Sequence, residues 1–422
     1  MGLQNRVRYS ARFTGNPMRP NLKNSLFLLC CCALSGVCTS IVAQESKLPE
    51  NRILLKAKHV YTGTGQVYSP GQVLVQDGKI SYVGEKIELS LPAKEIEIDS
   101  VIPGLVNAST SIGLAGGTAE VSREITPDFD TYSAIDWHSV AFDQALDAGV
   151  TTIQVLPDTE SVFCGFSCIV KTTGNPEERT LSTQDSVAIA VSSDPTSRNR
   201  SRTRPDSIYV RQPTNRMGVV WIIRNALHQS RVGGKILGAD PNTTSILKSI
   251  VDGEQKVLSI SRADFDIRSA LELGELYGFQ PTIYGGDEVY RMVDDFAASK
   301  ASLVFTALTS TTANLRGNEG TELRWNVPGK LAEADISFCL GGNDLLEQAR
   351  FAVRFGLSPE IALRSITLSP AEILGQQESI GSIEVGKDAD LVALSGNPLQ
   401  PTSAITWTMV NGKINGIDEN SK

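Results

Sequence analysis

Residues 101–114 read VIPGLVNASTSIGL, an apolar run that ends in hydroxyls, with Ser109 and Ser111 at alternate positions. Alternate side chains of a β-strand share a face, so both hydroxyls address one place. A serine attacks a carbonyl only with a base in reach. Neither Ser-x-x-Lys nor Gly-x-Ser-x-Gly surrounds either residue. Metal chemistry is equally short of groups, because a neutral hydroxyl is a poor zinc ligand beside imidazole, thiolate or carboxylate. The chain holds three histidines, His59, His138 and His228, with no ligand spacing between them. Each reads as a surface or internally satisfied side chain. The acids Asp264, Asp287, Glu288 and Asp344 are oxygen ligands that would suit Mg²⁺ or Ca²⁺ if the fold gathered them. The stretch SDPTSRNRSRTRPD, residues 193–206, sets arginines at alternate positions. Its composition suits a solvated loop. The sharper reading is a lid in which Arg198 and Arg200 offer guanidinium forks to an anionic ligand.

Elements of two kinds must position these residues. Near the start, ILLKAKHVYTG and QVLVQDGKISYVG read as short strands, with Asp77-Gly78 as a two-residue hairpin turn. The end of the chain repeats this grammar in ADLVALSG and ITWTMVNGKI, turning at Asn411-Gly412. Between them, apolar β-branched runs alternate with helix-like stretches, the pattern of βα units on a parallel sheet. Eight strands are expected, at 102–109, 150–156, 167–172, 186–192, 256–262, 281–286, 302–307 and 336–341. The third is the weakest, since 157–186 also reads as a hairpin excursion. Helices are expected over AFDQALDAG, MGVVWIIRNALHQ, FDIRSALELGELYG and EVYRMVDDFAAS, with Thr214 and Asn215 as N-cap candidates. Ser358-Pro359 and Ser369-Pro370 read as helix starts, the second as a capping box with Glu372.

The first 43 residues carry five bases, no acid, and the run SLFLLCCCALSGVCTSIVA before Ile41-Val42-Ala43. That is the order of a cleavable secretory leader, with Met18 as a second candidate start. Ser, Thr, Gly and Cys interrupt the run, which argues against a membrane anchor. The chain carries 39 basic against 47 acidic residues, net −8. Loss of the basic leader makes the body more acidic still, which argues against a nucleic-acid groove. Four of the seven cysteines leave with the leader. Cys164, Cys168 and Cys339 form no disulfide framework; Cys164 and Cys168 either pair across Gly165 or stay as buried thiols.

The layout resembles the amidohydrolase superfamily in its imidazolonepropionase-like branch. Four segments carry the resemblance: IPGLVNAS, GVTTIQVLP at 149–157, PTNRMGVVWIIRNAL at 213–227, and GLSPEIALRSITLSPAEILGQQESIGSIEVGKDADLVALSGNPLQ at 356–400. The resemblance implies an α/β fold, a distorted (β/α)₈ TIM barrel beside a small β-sandwich built from both chain ends. The expected boundaries are a leader at 1–43, sandwich strands at 44–102, the barrel at 103–379, and the rest of the sandwich at 380–422. It also implies hydrolysis of amide or cyclic amide C–N bonds with zinc or another divalent metal, which lowers the pKa of a bound water. Such a family presents His-x-His on the first strand, sometimes a carboxylated lysine, histidines on strands five and six, and an aspartate after strand eight.

This sequence departs from that set. Ser109 and Ser111 stand at the His-x-His positions and Asn107 at the preceding aspartate. Strand five offers Ser259 and Ser261, strand six Gly285 and Gly286, and strand eight Asn343, with Asp344 one residue beyond. Lys171 is the candidate for carboxylation. The expectation is an exported protein whose pocket is lined by the vestigial positions Ser109, Ser111, Ser261, Asn343 and Asp344. It would hold no metal and bind a small molecule or peptide, without a stable membrane span, as a candidate homo-oligomer. The alternative is an active C–N hydrolase with an altered or metal-free site.

Overall fold

The computed structural model describes residues 52–120, 122–199, 212–236, 239–306, 308 and 324–415. The leader and residues 200–206 of the arginine-rich loop therefore lie outside the described residues. The chain opens with Arg52–Tyr61 (β1), Val67–Tyr68 (β2), Gly71–Gln76 (β3), Lys79–Gly84 (β4) and Lys94–Pro103 (β5). It closes with Leu391–Leu394 (β16), Ile405–Val410 (β17) and Lys413–Asn415 (β18). The two ends share one eight-stranded sheet in the order β18-β17-β16-β5-β1-β3-β4, with β2 beside β1. The sheet wraps a core of its own, including Leu55, Val73, Val101, Leu391, Trp407 and Met409. Asp77 and Gly78, and likewise Asn411 and Gly412, take the left-handed conformations that a tight hairpin requires.

The barrel staves are Leu105–Thr110 (β6), Val150–Val155 (β7), Phe163–Phe166 (β8) running into Cys168–Lys171 (β9), then Ser186–Ala190 (β11), Lys256–Ser261 (β12), Pro281–Gly285 (β13), Ser302–Phe305 (β14) and Phe338–Leu340 (β15). A short Thr180–Ser182 (β10) lies outside β9. β6 and β7 are parallel, as are β11 through β15. The third stave departs from this. β9 runs antiparallel to β7, and β8 antiparallel to β11, with Ser167 as the corner. Its sequence showed strand composition but nothing of direction, which the preceding loop decides.

β6 and β15 share few contacts, and Ser365 and Ile366 lie between them. The Leu340 amide donates to Ser365 O at 3.0 Å and the Val106 amide to Ile366 O at 3.0 Å. The helices are Val140–Asp147 (α1), Pro176–Arg179 (α2), Arg216–Val232 (α3), Pro241–Val251 (α4), Asp264–Tyr277 (α5), Val293–Ser299 (α6), Val327–Glu333 (α7), Leu345–Arg354 (α8), Pro359–Arg364 (α9) and Leu368–Leu374 (α10). The Asn215 side chain caps α3 by accepting from Gly218 N at 3.0 Å, and Ser358 caps α9. α3 buries Val219, Ile222, Ile223 and Leu227, each worth roughly 1.5–3 kcal/mol of apolar burial. The expected capping box at Ser369 is not formed. α10 begins two residues earlier than expected, at Leu368 with Thr367 as its N-cap, and Glu372 instead pairs with Arg364 at 2.6 Å. The two cysteines do not pair. On an unbroken strand residues four apart would share a face; the register irregularity of β8 and the corner at Ser167 instead set Cys164 toward the barrel interior and Cys168 toward the outer layer. Burial pushes both thiols up, Cys168 to about 11.

Candidate ligand site at the barrel mouth

The upper ends of β6, β7, β13 and β15 enclose a cavity of about 530 Å³. Ser109 lies on its wall because β6 breaks register between Asn107 and Thr110. Gly341 lets it approach: a Cβ there would stand 2.8 Å from the Cβ of Ser109. Asn107 does not face the cavity. Its amide Nδ2 donates to Gly342 O at 2.8 Å, and its Oδ1 accepts from Gly342 N at 3.2 Å and from Ser109 N at 3.1 Å. An amide meets both demands of the Gly342 peptide; a carboxylate has no proton for the carbonyl.

Ser109 Oγ donates to the hydroxyl of Tyr284 at 3.0 Å. Tyr284 is the inward residue of the sixth stave, and burial raises its pKa. It lies near a second polar level. There Arg262 Nη1 donates to Asp194 Oδ1 at 3.0 Å, and Thr159 Oγ1 donates to Asp194 Oδ2 at 2.7 Å. Burial alone would lower Arg262, but Asp194 and Asp287 more than offset it and its pKa is raised. Asp287 shares this level. Burial pushes its carboxyl up to about 6 against the opposing pull of Arg262.

Of the expected positions, Ser109, Ser111, Asn343 and Asp344 line the cavity. Ser261 does not. It is fully buried and shares a hydrogen bond with Ser259 at 2.9 Å, while Ile260 lines the cavity. The reading had taken the wrong parity on β12, where one residue reverses the face. The inward residues there are Leu258 and Ile260, which pack with Tyr284, and Arg262 extends the same face.

Lys171 is also misplaced for a metal bridge. Because its stave runs downward, it pairs with Thr152 at the lower part of the barrel. There it is 1% exposed and holds Asp388 at 2.7 Å and Asp390 at 3.0 Å. Asp264, Asp287, Glu288 and Asp344 do not converge either. Among the described residues no three His, Cys, Asp or Glu side chains form a group that could hold a metal. His59 bonds Ser69 at 2.8 Å, and His228 lines a groove on the outer helices. Arg198 lies in a 3-10 turn, Asp194–Asn199, without a described side chain, and Arg200 lies outside the described residues.

Sequence reading missed Arg262, Asp194 and Tyr284; Arg262 sits beside Ser261, Tyr284 beside Gly285, and Asp194 lies within the arginine-rich stretch. Asp158 and Gln348 also line the cavity. Asp158 accepts from Thr118 N at 2.7 Å, which fixes the loop above. Gln348 is 1% exposed, and its Nε2 donates to Gly341 O and Asn343 O. Two carboxylates, Asp158 and Asp344, stand among the hydroxyls and amides, but among the described residues no third His, Cys, Asp or Glu joins them, so the set does not fit a zinc ion held by three or four such ligands.

Comparison with known proteins bears on the ancestry of this site. The sequence profile of the Amidohydrolase family matches residues 331–417. No curated protein matches the sequence. Among solved structures, an amidohydrolase from Thermotoga maritima aligns at a TM-score of 0.77 and 25% identity, over 86% of this chain and 99% of that one. A Xaa-Pro dipeptidase with bound methionine aligns at 0.54 and 16%, over 86% and 99%. Molinate hydrolase aligns at 0.52 and 16%, over 87% and 95%. The last two likenesses speak for the fold alone. The matched C-terminal segment and the Thermotoga maritima likeness together support kinship with the amidohydrolase superfamily.

Proposed function

We propose that this is an exported superfamily member whose metal ligands have been replaced, and that its barrel mouth binds a small polar molecule or short peptide without metal chemistry. One observation carries the reading: the hydrogen-bonded Ser109–Tyr284 pair, with the Arg262–Asp194 ion pair beside it, fills the place where the family keeps its ligands. Arg262 stays charged at any pH a protein survives, and its ion pair with Asp194 at 3.0 Å occupies that carboxylate, which is then not free to hold a divalent ion. The cavity has the volume of a small-ligand site. Asp158, Asp344, Asn343 and a ring of hydroxyls line it, with no basic side chain among the lining residues. This lining favours a neutral, hydroxyl- or amide-rich ligand, or one bearing an ammonium group, over the anion that an arginine lid would take.

The basic, acid-free leader and its cleavage pattern support export. Among the described residues no helix is long and apolar enough to cross a membrane. N-terminal sequencing of the mature protein from a cell fraction tests this.

Protein loaded with excess Zn²⁺ and then dialysed is expected to retain well under one equivalent by elemental analysis. A screen of sugars, amino acids and short peptides is expected to raise the melting temperature with at least one neutral or cationic compound. Stoichiometric zinc would overturn the reading. A second reading, a working C–N hydrolase without metal, is favoured by Asp287, whose carboxyl near pKa 6 is the range of a general base. Turnover of dipeptides or cyclic amides that Asp287→Asn abolishes would select it.

A further inference from the structure

Eleven large apolar side chains stand exposed among the described residues, and five of them lie on α3 and α5: Met217, Trp221, Val232, Phe265 and Leu276. Barrel helices normally bury one stripe and solvate the other. Here the outer stripes also carry large apolar side chains among polar ones. Met217, Trp221, His228 and Val232 recur at helical spacing on α3, with Met217 78% and Trp221 59% exposed. Phe265, Ser269, Glu272 and Leu276 do so on α5. Met217, Trp221, Arg224 and His228 on one side and Phe265 and Ser269 on the other line a single groove of about 700 Å³. Met217 and Trp221 of α3 and Phe265 of α5 therefore face one shared depression, in which the Arg216 guanidinium lies 3.9 Å over the Phe265 ring. Contiguous apolar surface of this kind marks an interface.

The charges beside the groove say what fits it. α3 contributes the exposed Arg224 and Arg231; α5 contributes the exposed Glu272 and Glu275. Among the described residues, Arg224, Glu272 and Glu275 have no ion-pair partner within the chain. A face with cations along one helix and anions along its neighbour is complementary to itself. A two-fold axis through the groove sets α3 of one copy against α5 of the other, pairing unlike charges around an apolar centre.

We propose that the α3–α5 face is the interface of a homodimer. Trp221 and Met217 from each copy fill the groove of the other, and Arg224 faces the acids of the partner's α5. At about 1.5 Å per residue the helices run roughly 25 and 21 Å. That length places the contact toward the smaller end of stable interfaces, so association depends on concentration.

Sedimentation velocity of the protein over rising concentration is expected to show a monomer–dimer transition. Trp221→Glu should weaken it by about tenfold or more, as one lost anchor at an interface centre does. Val385→Glu, at a site 64% exposed on another surface, should leave it unchanged. Arg224→Glu should weaken the dimer, and combining it with Glu272→Arg and Glu275→Arg should restore it. Unchanged melting temperatures will show that each variant folds. A chain that stays monomeric at every concentration overturns the proposal. So does a dimer that tolerates both Trp221→Glu and Met217→Glu.

Discussion

Asp287 and Asn107 show how single side chains set the character of the mouth. Asp287 is 7% exposed, and burial is the main cause of its raised pKa of about 6. The folded protein holds that proton more tightly than the unfolded chain, whose carboxyl titrates near 3.8. The contribution of Asp287 to stability is thus complete below pH 4 and is lost as pH rises through 6. Asp287→Asn should be close to neutral near pH 4 and stabilise the protein by on the order of 2 kcal/mol at pH 8. Urea denaturation at both pH values checks this; a gain that does not grow with pH would refute the assignment. Asn107→Asp restores the acid common in the family. Here it sets an oxygen against the Gly342 carbonyl, 2.8 Å from the present Nδ2. Leaving those buried acceptors face to face should cost about 2–4 kcal/mol, read as a lower denaturation midpoint.

At the scale of elements, Lys171 joins barrel to sheet. Its ammonium reaches Asp388, Asp390 and the Asn411 side chain, which sits in the turn between β17 and β18. Lys79 holds the other oxygen of Asp388 at 2.6 Å. Coulombic attraction to Lys171 lowers Asp388 against its burial, whereas burial dominates for Asp390 and raises it. Lys171→Met should destabilise by roughly 3–5 kcal/mol, since it leaves carboxylates buried without their partner. Adding Asp390→Asn should recover part of the loss; no recovery would mean the lysine acts by packing alone.

Much of this scale was legible beforehand. Seven staves and the hairpins at Asp77-Gly78 and Asn411-Gly412 follow from alternation and turn chemistry, which are local. The reversed third stave, the parity of β12 and the Asp194–Arg262 contact, 68 residues apart in sequence, depend on tertiary packing that no window of sequence carries. The serines at 109 and 111 were found because they break a pattern. Arg262 was missed because an arginine beside a strand end reads as surface.

For the whole molecule, residues 48–422 form one compact unit. The sheet interleaves β5 from the start of the chain with β16 from its end, through Ser100 to Pro103 and Leu391 to Leu394. A chain cut before residue 380 loses Leu391, Trp407 and Met409 from the sheet core and bares the edge of β5. It is expected to yield no folded barrel, read as loss of a cooperative melt by circular dichroism. A truncated chain that melts cooperatively would show the barrel to be independent.

That shared sheet also sets a timetable. On a ribosome the first strands emerge long before their final neighbour, and β5 must wait for nearly three hundred more residues. Until then one long edge stays open, and the buried lysine contacts, spanning 217 to 240 positions of chain, have nothing to close on. Late closure of this kind slows folding. Under the export proposed above the delay would be useful, because a chain that cannot finish its opening layer until its last segment arrives stays thin enough to thread.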